Sequence, residues 1–163
     1  NLLGDIHGGA AEKAMKLFYS TQSIAEANTG RSVSSVVIEQ FEQWKEKGEK
    51  LPGFGHQLHD DDPRVRRLYQ LAQDLVEEGE ITGNYLKIAE EYRLQLEKWK
   101  NKKITMNIDG VSAAIQCELF IPAEAAKGIF ALSRGMGILA HAFEEMQNGV
   151  LIKGPCPNRD ELF

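Results

Sequence analysis

Cysteine is scarce in this chain, acidic residues outnumber basic ones, and long apolar runs do not occur. The two cysteines, Cys117 and Cys156, are far apart and form no Cys-x-x-Cys pair, so a reduced, cytoplasmic protein is the simplest interpretation. A total of 19 Lys and Arg against 24 Asp and Glu gives a net charge of −5. The chain therefore lacks the excess of basic residues that is typical of nucleic-acid-binding proteins. No segment approaches the roughly 18 apolar residues that cross a bilayer, and no signal peptide is recognisable. We therefore expect neither a nucleic-acid partner nor a membrane.

The length and composition are those of an ordinary globular domain. The 163 residues are 42% hydrophobic and 26% charged, enough for one domain with a substantial core. The chain starts with Asn1-Leu2-Leu3, without an initiator methionine, and runs directly into a glycine-rich segment. We expect it to be the C-terminal portion of a longer protein, with a processed protein as the alternative.

Most of the chain repeats apolar residues at helical spacing, as in Val33, Val37, Phe41 and Trp44. Asp62-Pro63 is typical of a helix start, with an N-cap acid before a first-turn proline. The predicted helices cover residues 10–19, 33–47, 63–78, 85–99, 113–120, 122–132 and 135–146. Since no alternating strand pattern is visible, the sequence predicts an all-α protein.

Four segments combine polar groups with glycines or helix starts. They are GDIHGGA at 4–10, PGFGHQLHDDDPR at 52–64, MNIDG at 106–110 and LSRGMGILAH at 132–141. The first segment by itself allows two chemistries. Asp5 and His7 could bind metal as in metallophosphoesterases, or His7 alone could face a thioester oxygen.

The metal alternative has little support in the rest of the sequence. Metallophosphoesterases need a β-sandwich and a downstream ligand turn with histidine, whereas Gly83-Asn84-Tyr85 has none. The run from His59 to Asp62 also suggests metal ligands, but acids before a proline more often cap a helix or face solvent. We therefore predict no metal site.

Taken in order on a helical chain, the four segments resemble the citrate synthase family, which includes the citryl-CoA lyases and the C-terminal module of ATP-citrate lyase. The matching residues are Ile6–Ala10, Gly53–His56, Asp62–Arg64, Asn107–Asp109 and Arg134 before Ala140-His141. The resemblance runs over essentially the whole chain, which corresponds to the C-terminal part of the family's usual length. It implies a citrate-synthase-like helical fold with a small mobile domain.

The resemblance implies that His7, His56 and Asp109 are catalytic. The family's reaction joins or splits a carbon–carbon bond between an acetyl thioester and the carbonyl of a 2-oxo acid. Asp109, with a reference pKa near ~3.9, can remove a methyl proton only if the developing enolate oxygen is stabilised at the same time. His7, before a helix N-terminus, would supply that stabilisation as a neutral donor. His56 would donate to the carbonyl oxygen of the 2-oxo acid.

The resemblance also implies the binding residues. Arg64 and Arg134 would hold carboxylates through forked hydrogen bonds. A coenzyme A ester would be a substrate, without a metal, and its nucleotide would lie against a glycine-containing loop. The expected residues of that loop are Lys50, Leu51, Gly53, Phe54 and Gly55.

Structural roles remain open for some of these residues. His56 could cap the helix that starts at Pro63, and Asp109 could be the N-cap acid of the helix after it.

Two departures from citrate synthases proper bear on the reaction. Synthases follow the catalytic Asp with an aromatic pair, as in D-F-Y-S-G, whereas Asp109 is followed by Gly110-Val111-Ser112. This D-G pattern and the phrase Ser133–Gly137 resemble the lyase branch, so cleavage of citryl-CoA is the leading hypothesis. The synthases' terminal R-P-R-like segment corresponds to Lys153–Pro157, which has no Arg. The alternatives are a citrate synthase proper and a non-catalytic member that binds coenzyme A esters.

The family's organisation gives the expected domains and partners. Residues 1–10 would belong to the large domain, 11–112 would form the small domain, and 113–163 would return to the large domain. Domain closure would bring the catalytic residues together and exclude water. Expected partners are an acyl-CoA, a 2-oxo acid and a second copy of the chain, in a homodimer or a higher homo-oligomer.

Overall fold

A computed structural model describes residues 9–27, 30–55 and 62–149 of the chain. The helices are α1 (Ala10–Ala27), α2 (Val33–Glu46), α3 (Pro63–Glu77), α4 (Asn84–Lys100), α5 (Ile108–Glu118) and α6 (Ala126–Gln147), with a 3₁₀ turn at Ala123–Ala125. Within the described ranges the only extended pairing is an isolated antiparallel bridge between Phe54 and Met106. The predicted all-α class is confirmed.

Polar side chains fix the starts of three helices. Ser32 accepts a hydrogen bond from the backbone N–H of Ser35 at the start of α2. Asp62 accepts from Arg64 N at the start of α3, where proline occupies the first turn. The side chain of Asn107 accepts from Asp109 N and Gly110 N at the start of α5. Each of these bonds satisfies a backbone donor that the helix itself leaves unpaired. The predicted cap at Asp62 is confirmed.

The start of α4 is capped by a residue from another helix. Gly83, the N-cap residue, has a left-handed φ of 74° and no side chain. Glu118, at the end of α5, is 4% exposed, and its carboxylate accepts from Gly83 N at 3.0 Å, Tyr85 N at 2.6 Å and Thr82 Oγ1 at 2.9 Å. A negative charge at a helix N-terminus is favourable, so Glu118 ties α5 to α4.

The core lies where α1 packs against α2, α4 and α5. Its largest fully buried side chains are Phe18, Met15, Ile88 and Tyr92. The phenol of Tyr92 lies 2.9 Å from Thr21 Oγ1 and donates to Gln40 Oε1 at 2.7 Å. This network supplies the partners that buried polar groups require and joins α1, α2 and α4.

The chain divides into two compact units, Asn1–Gly128 and Ile129–Phe163. The described part of the second unit is the remainder of α6, with large apolar side chains that are exposed: Leu132, Met136, Ile138, Leu139, Phe143 and Met146. The predicted domain boundaries at residues 10 and 112 stay a prediction.

Three of the helix predictions have wrong boundaries. The helix predicted to end at residue 19 continues to Ala27. The helices predicted at 122–132 and 135–146 form one continuous α6, because a helix tolerates Gly135 and Gly137 at about 1 kcal/mol each when no proline breaks it. The helix predicted from residue 113 begins at Ile108 instead. Among the residues that the structure describes, no helix is both long and apolar enough to cross a membrane.

Candidate active site

The loop of residues 52–55 and the segment of residues 105–107 are locked together by backbone hydrogen bonds. Gly55 N donates to Thr105 O at 2.9 Å, and Asn107 N donates to Gly53 O at 3.0 Å. These bonds flank the bridge between Phe54 and Met106. Two motifs about 50 residues apart in sequence are therefore one structural unit, which we call the loop–helix junction: residues 52–55, 105–107 and the first turn of α5.

Two glycines meet in this junction. A Cβ atom added to Gly110 would lie 2.2 Å from Gly53 O, and one added to Gly53 would lie 2.7 Å from Gly110 Cα. Gly53 also has a φ of 89°, a conformation that favours glycine. The expected loop glycine is thus required by its close approach to α5, a contact within the protein that the sequence did not predict.

Asp109 lies in the first turn of α5, half-buried, directly after the junction. Asn107 Oδ1 accepts from Asp109 N at 3.0 Å and from Gly110 N at 3.1 Å, while Asn107 Nδ2 donates to Gly55 O at 3.0 Å. The N-cap is therefore Asn107, and the alternative that Asp109 itself caps the helix is wrong.

Arg64 is held near Asp109 by a neighbouring carboxylate. Its Nε donates to Asp62 Oδ1 at 3.0 Å and its Nη2 to Asp62 Oδ2 at 2.7 Å. The hydrogen bond to Asp62 raises the pKa of Arg64, and the negative charges of Asp62 and Asp109 raise it further. The starts of α3 and α5 thus bring a cation close to the candidate base. Two of the three guanidinium nitrogens of Arg64, Nε and Nη2, are already hydrogen-bonded to Asp62.

A cavity of about 640 Å³ adjoins the loop before the junction. Its polar lining includes Lys50 and two lysines one turn apart on α1, Lys13 and Lys16, and Trp44 supplies an aromatic wall. Leu51, next to Lys50, is buried in the core, so its side chain anchors the loop, and its part in coenzyme A binding stays a prediction. Binding of coenzyme A by Lys50 stays a prediction, and the sequence did not indicate that Lys13, Lys16 and Trp44 line the same cavity. Their helical spacing was visible, but their approach to residue 50 depends on tertiary packing.

A comparison with known protein families shows the family of the chain. Residues 1–154 match the family described as citrate synthase, C-terminal domain. The chain belongs to the citrate synthase family. Among curated family members, Citrate synthase 2 of Bacillus subtilis is 32% identical over 93% of this chain, which spans 38% of that protein.

Solved structures of citrate synthase family members share the fold. Citryl-CoA lyase from Hydrogenobacter thermophilus aligns with a TM-score of 0.71 and 31% identity, covering 99% of this chain and 64% of that one. The citrate synthase of Thermoplasma acidophilum was solved in a ternary complex with carboxymethyl coenzyme A and oxaloacetate. It aligns with a TM-score of 0.65 and 26% identity, covering 97% of this chain and 42% of that one. The predicted family and helical fold are confirmed.

Two of the remaining predicted site residues lie outside the residues that the structure describes, and a third belongs to the second compact unit. His7 and His56 lie outside the described residues, as do the metal ligands considered at Asp5 and His59. Arg134 lies on α6 in the second unit, exposed, with its guanidinium carbon 5.2 Å from the ring centre of Phe130. Its expected carboxylate partner stays a prediction.

Cys117 is no nucleophile in this family member. Its thiol is fully buried, and burial raises its pKa to about 12, so the thiolate is not formed near neutral pH.

Proposed function

We propose that this chain forms part of the active site of an enzyme that makes or breaks the carbon–carbon bond between an acetyl-CoA unit and a 2-oxo acid. The favoured reaction is cleavage of citryl-CoA. The observation that carries this proposal is the loop–helix junction, because it places the loop expected to bind coenzyme A directly against the turn that bears Asp109.

Two of the three polar groups transfer a proton, and the third stabilises the charge that develops on the thioester oxygen. In cleavage, His56 accepts the substrate hydroxyl proton as the carbon–carbon bond breaks, and the 2-oxo acid leaves with its new carbonyl group. The bond's electron pair passes into an enolate of acetyl-CoA, whose oxygen is stabilised by His7. Protonated Asp109 then delivers a proton to the terminal carbon. Condensation runs the same steps in reverse, with Asp109 as the base.

The cavity beside the loop fits a nucleotide thioester. Coenzyme A carries several phosphate charges and an adenine ring. The lining offers three ammonium groups, of Lys13, Lys50 and the Glu12-paired Lys16, against one carboxylate, that of Glu49, together with the ring of Trp44. Cationic side chains recognise phosphate as point charges, and a planar base packs favourably on an aromatic face. We assign the cavity to the coenzyme A end of the substrate, with the acyl end directed to the loop–helix junction.

The close contact at Gly110 favours the lyase branch. Synthases proper have an aromatic residue after the catalytic aspartate, whereas here any side chain at residue 110 would meet Gly53 O. The similarity to citryl-CoA lyase from Hydrogenobacter thermophilus agrees with this choice. Citrate synthase proper is the second candidate, favoured by the similarity to the Bacillus subtilis protein. The third, a non-catalytic coenzyme A ester-binding member, is favoured by the missing arginine at Lys153–Pro157.

The assembly and domain closure belong to the same proposal. We infer a cytoplasmic homodimer or higher homo-oligomer in which Arg64 and Arg134 hold the carboxylates of the 2-oxo acid. Closure of the small domain would bring His56 and Asp109 onto His7 and exclude water.

The test uses the intact protein, since this chain spans 38% of its Bacillus subtilis relative. Citryl-CoA cleavage and citrate formation are measured side by side, and we expect cleavage to be the faster. Asp109→Asn should lower kcat roughly 10²–10⁴-fold, because an amide cannot transfer the proton. Asp74→Asn, which changes an exposed carboxylate on α3 bonded to Gln70, is the matched control. Equal rates for the two variants would remove Asp109 as the base, and acetyl-CoA binding without turnover would favour the non-catalytic alternative.

A further inference from the structure

A polar stripe continues from Asp109 along α5. Most of this helix is apolar and buried, but Asp109, Ser112 and Gln116 follow at intervals of three and four residues and therefore share one face. Gln116 is only 5% exposed. Among the described residues its Oε1 has no hydrogen-bond partner, which is uncommon for a buried acceptor. A buried amide with an unpaired oxygen is a cost to folding, so its presence in the core calls for a reason other than stability.

The paired end of Gln116 provides that reason. Gln116 Nε2 donates to Ser112 Oγ at 2.8 Å. Within the described part of the chain this is the one hydrogen bond of the Ser112 side chain, and in it the serine oxygen is the acceptor. A hydroxyl that accepts through its oxygen keeps its own hydrogen to donate elsewhere. Gln116 therefore fixes the position of the Ser112 oxygen and leaves the proton available.

The Ser112 hydroxyl is within one helical turn of the candidate base. Residues three apart on a helix have Cβ atoms roughly 5–6 Å apart, so one water can bridge a serine hydroxyl and an aspartate carboxylate. We propose that Ser112 is a positioning residue for the Asp109 carboxylate, with Gln116 holding the serine in place. The inference rests on the proposed function, because it concerns the base of that reaction.

The experiment isolates proton removal from the rest of the cycle. The intact protein is incubated in deuterated water with acetyl-CoA and a 2-hydroxy acid that cannot condense, and deuterium entry into the acetyl methyl group is followed by mass spectrometry. Ser112→Ala should slow this exchange about tenfold or more, since small errors in the position of a reacting group have large kinetic effects. The dissociation constant of acetyl-CoA should be unchanged. Ser112→Thr keeps the hydroxyl and should restore the rate to within about threefold of the wild type.

Two further variants separate positioning from stability. Ser20→Ala is the matched control, because Ser20 Oγ also accepts from a glutamine, Gln40 Nε2 at 3.1 Å, but lies on α1; its exchange rate should equal that of the wild type. Gln116→Met keeps the side-chain length and removes the unpaired oxygen. It should slow exchange as Ser112→Ala does without lowering the midpoint of thermal unfolding.

The inference is overturned if Ser112→Ala exchanges as fast as Ser20→Ala, or if Ser112→Thr is as slow as Ser112→Ala. If the wild-type protein does not exchange the methyl hydrogens at all, the proposed function fails first and this inference fails with it.

Discussion

Replacing Gly110 by alanine is a sharp test of the loop–helix junction, because two effects of opposite sign compete at this position. Gly110 lies inside α5, where alanine is the better helix former by about 1 kcal/mol. The added Cβ would, however, lie 2.2 Å from Gly53 O, more than 1 Å short of an ordinary contact. The atom it meets is backbone rather than a flexible side chain, so the loop has to move.

The magnitude follows from what that movement breaks. Displacing the loop removes the bonds from Asn107 N to Gly53 O and from Asn107 Nδ2 to Gly55 O, each worth about 1 kcal/mol. Overpacking adds roughly 1–3 kcal/mol. After the gain in helix propensity, Gly110→Ala should lower the free energy of unfolding by about 2–4 kcal/mol, and the displaced loop should weaken binding of acetyl-CoA.

Urea unfolding followed by circular dichroism measures the stability change, and calorimetry measures acetyl-CoA binding. Gly128→Ala is the control, because Gly128 is also helical, belongs to the same compact unit and would place its Cβ in open space. That variant should be unchanged or more stable by up to about 1 kcal/mol. If Gly110→Ala is stabilised to the same extent as Gly128→Ala, the contact between the two glycines does not constrain the site.

Two further predictions concern buried polar groups. Glu118→Gln should lower the free energy of unfolding in urea by about 2–3 kcal/mol, because an NH₂ group replaces one of the oxygens that accept from residues 82–86. The control is Glu124→Gln, at an exposed carboxylate 3.7 Å from Lys16, which should change the free energy of unfolding by less than about 0.5 kcal/mol. Equal losses in the two variants would refute the capping role of Glu118. Burial raises the pKa of Tyr92 to about 12, so the unfolded chain loses this proton first and stability should fall by about 1.4 kcal/mol per pH unit between about 10 and 12. Tyr92→Phe should show a correspondingly shallower decline, and an identical decline in both proteins would contradict the assignment.

Much of the fold was predictable because it depends on local signals. Helical spacing located the helices, and the pair Asp62-Pro63 marked the start of α3 to the residue. Predictions failed where a local signal was overridden: glycines suggested a break near Gly135 that α6 does not have, and the cap at Asn107 was overlooked, so α5 was started five residues late.

The candidate site was likewise predictable where its signals are local and unpredictable where they depend on tertiary packing. The residue types at Asp109 and Arg64 could be recognised from their motifs, and the structure brings their charges together. The meeting of Gly53 with Gly110 could not be predicted, because no spacing rule links residues 57 positions apart. Likewise, nothing local shows that Lys13 and Lys16 line the same cavity as Lys50, since that depends on how α1 packs.

The eleven-residue helix α5 is anchored at both of its ends to distant parts of the chain. Its first turn is fixed through Asn107 to the loop of residues 53–55, and its last residue, Glu118, is fixed to the start of α4. Helix ends ordinarily fray, and the first turn is among the softest places on which to mount a reactive group. In α5 both ends are restrained by hydrogen bonds to distant segments. A helix only about 16 Å long can therefore hold Asp109 in a fixed position, as a much longer helix would.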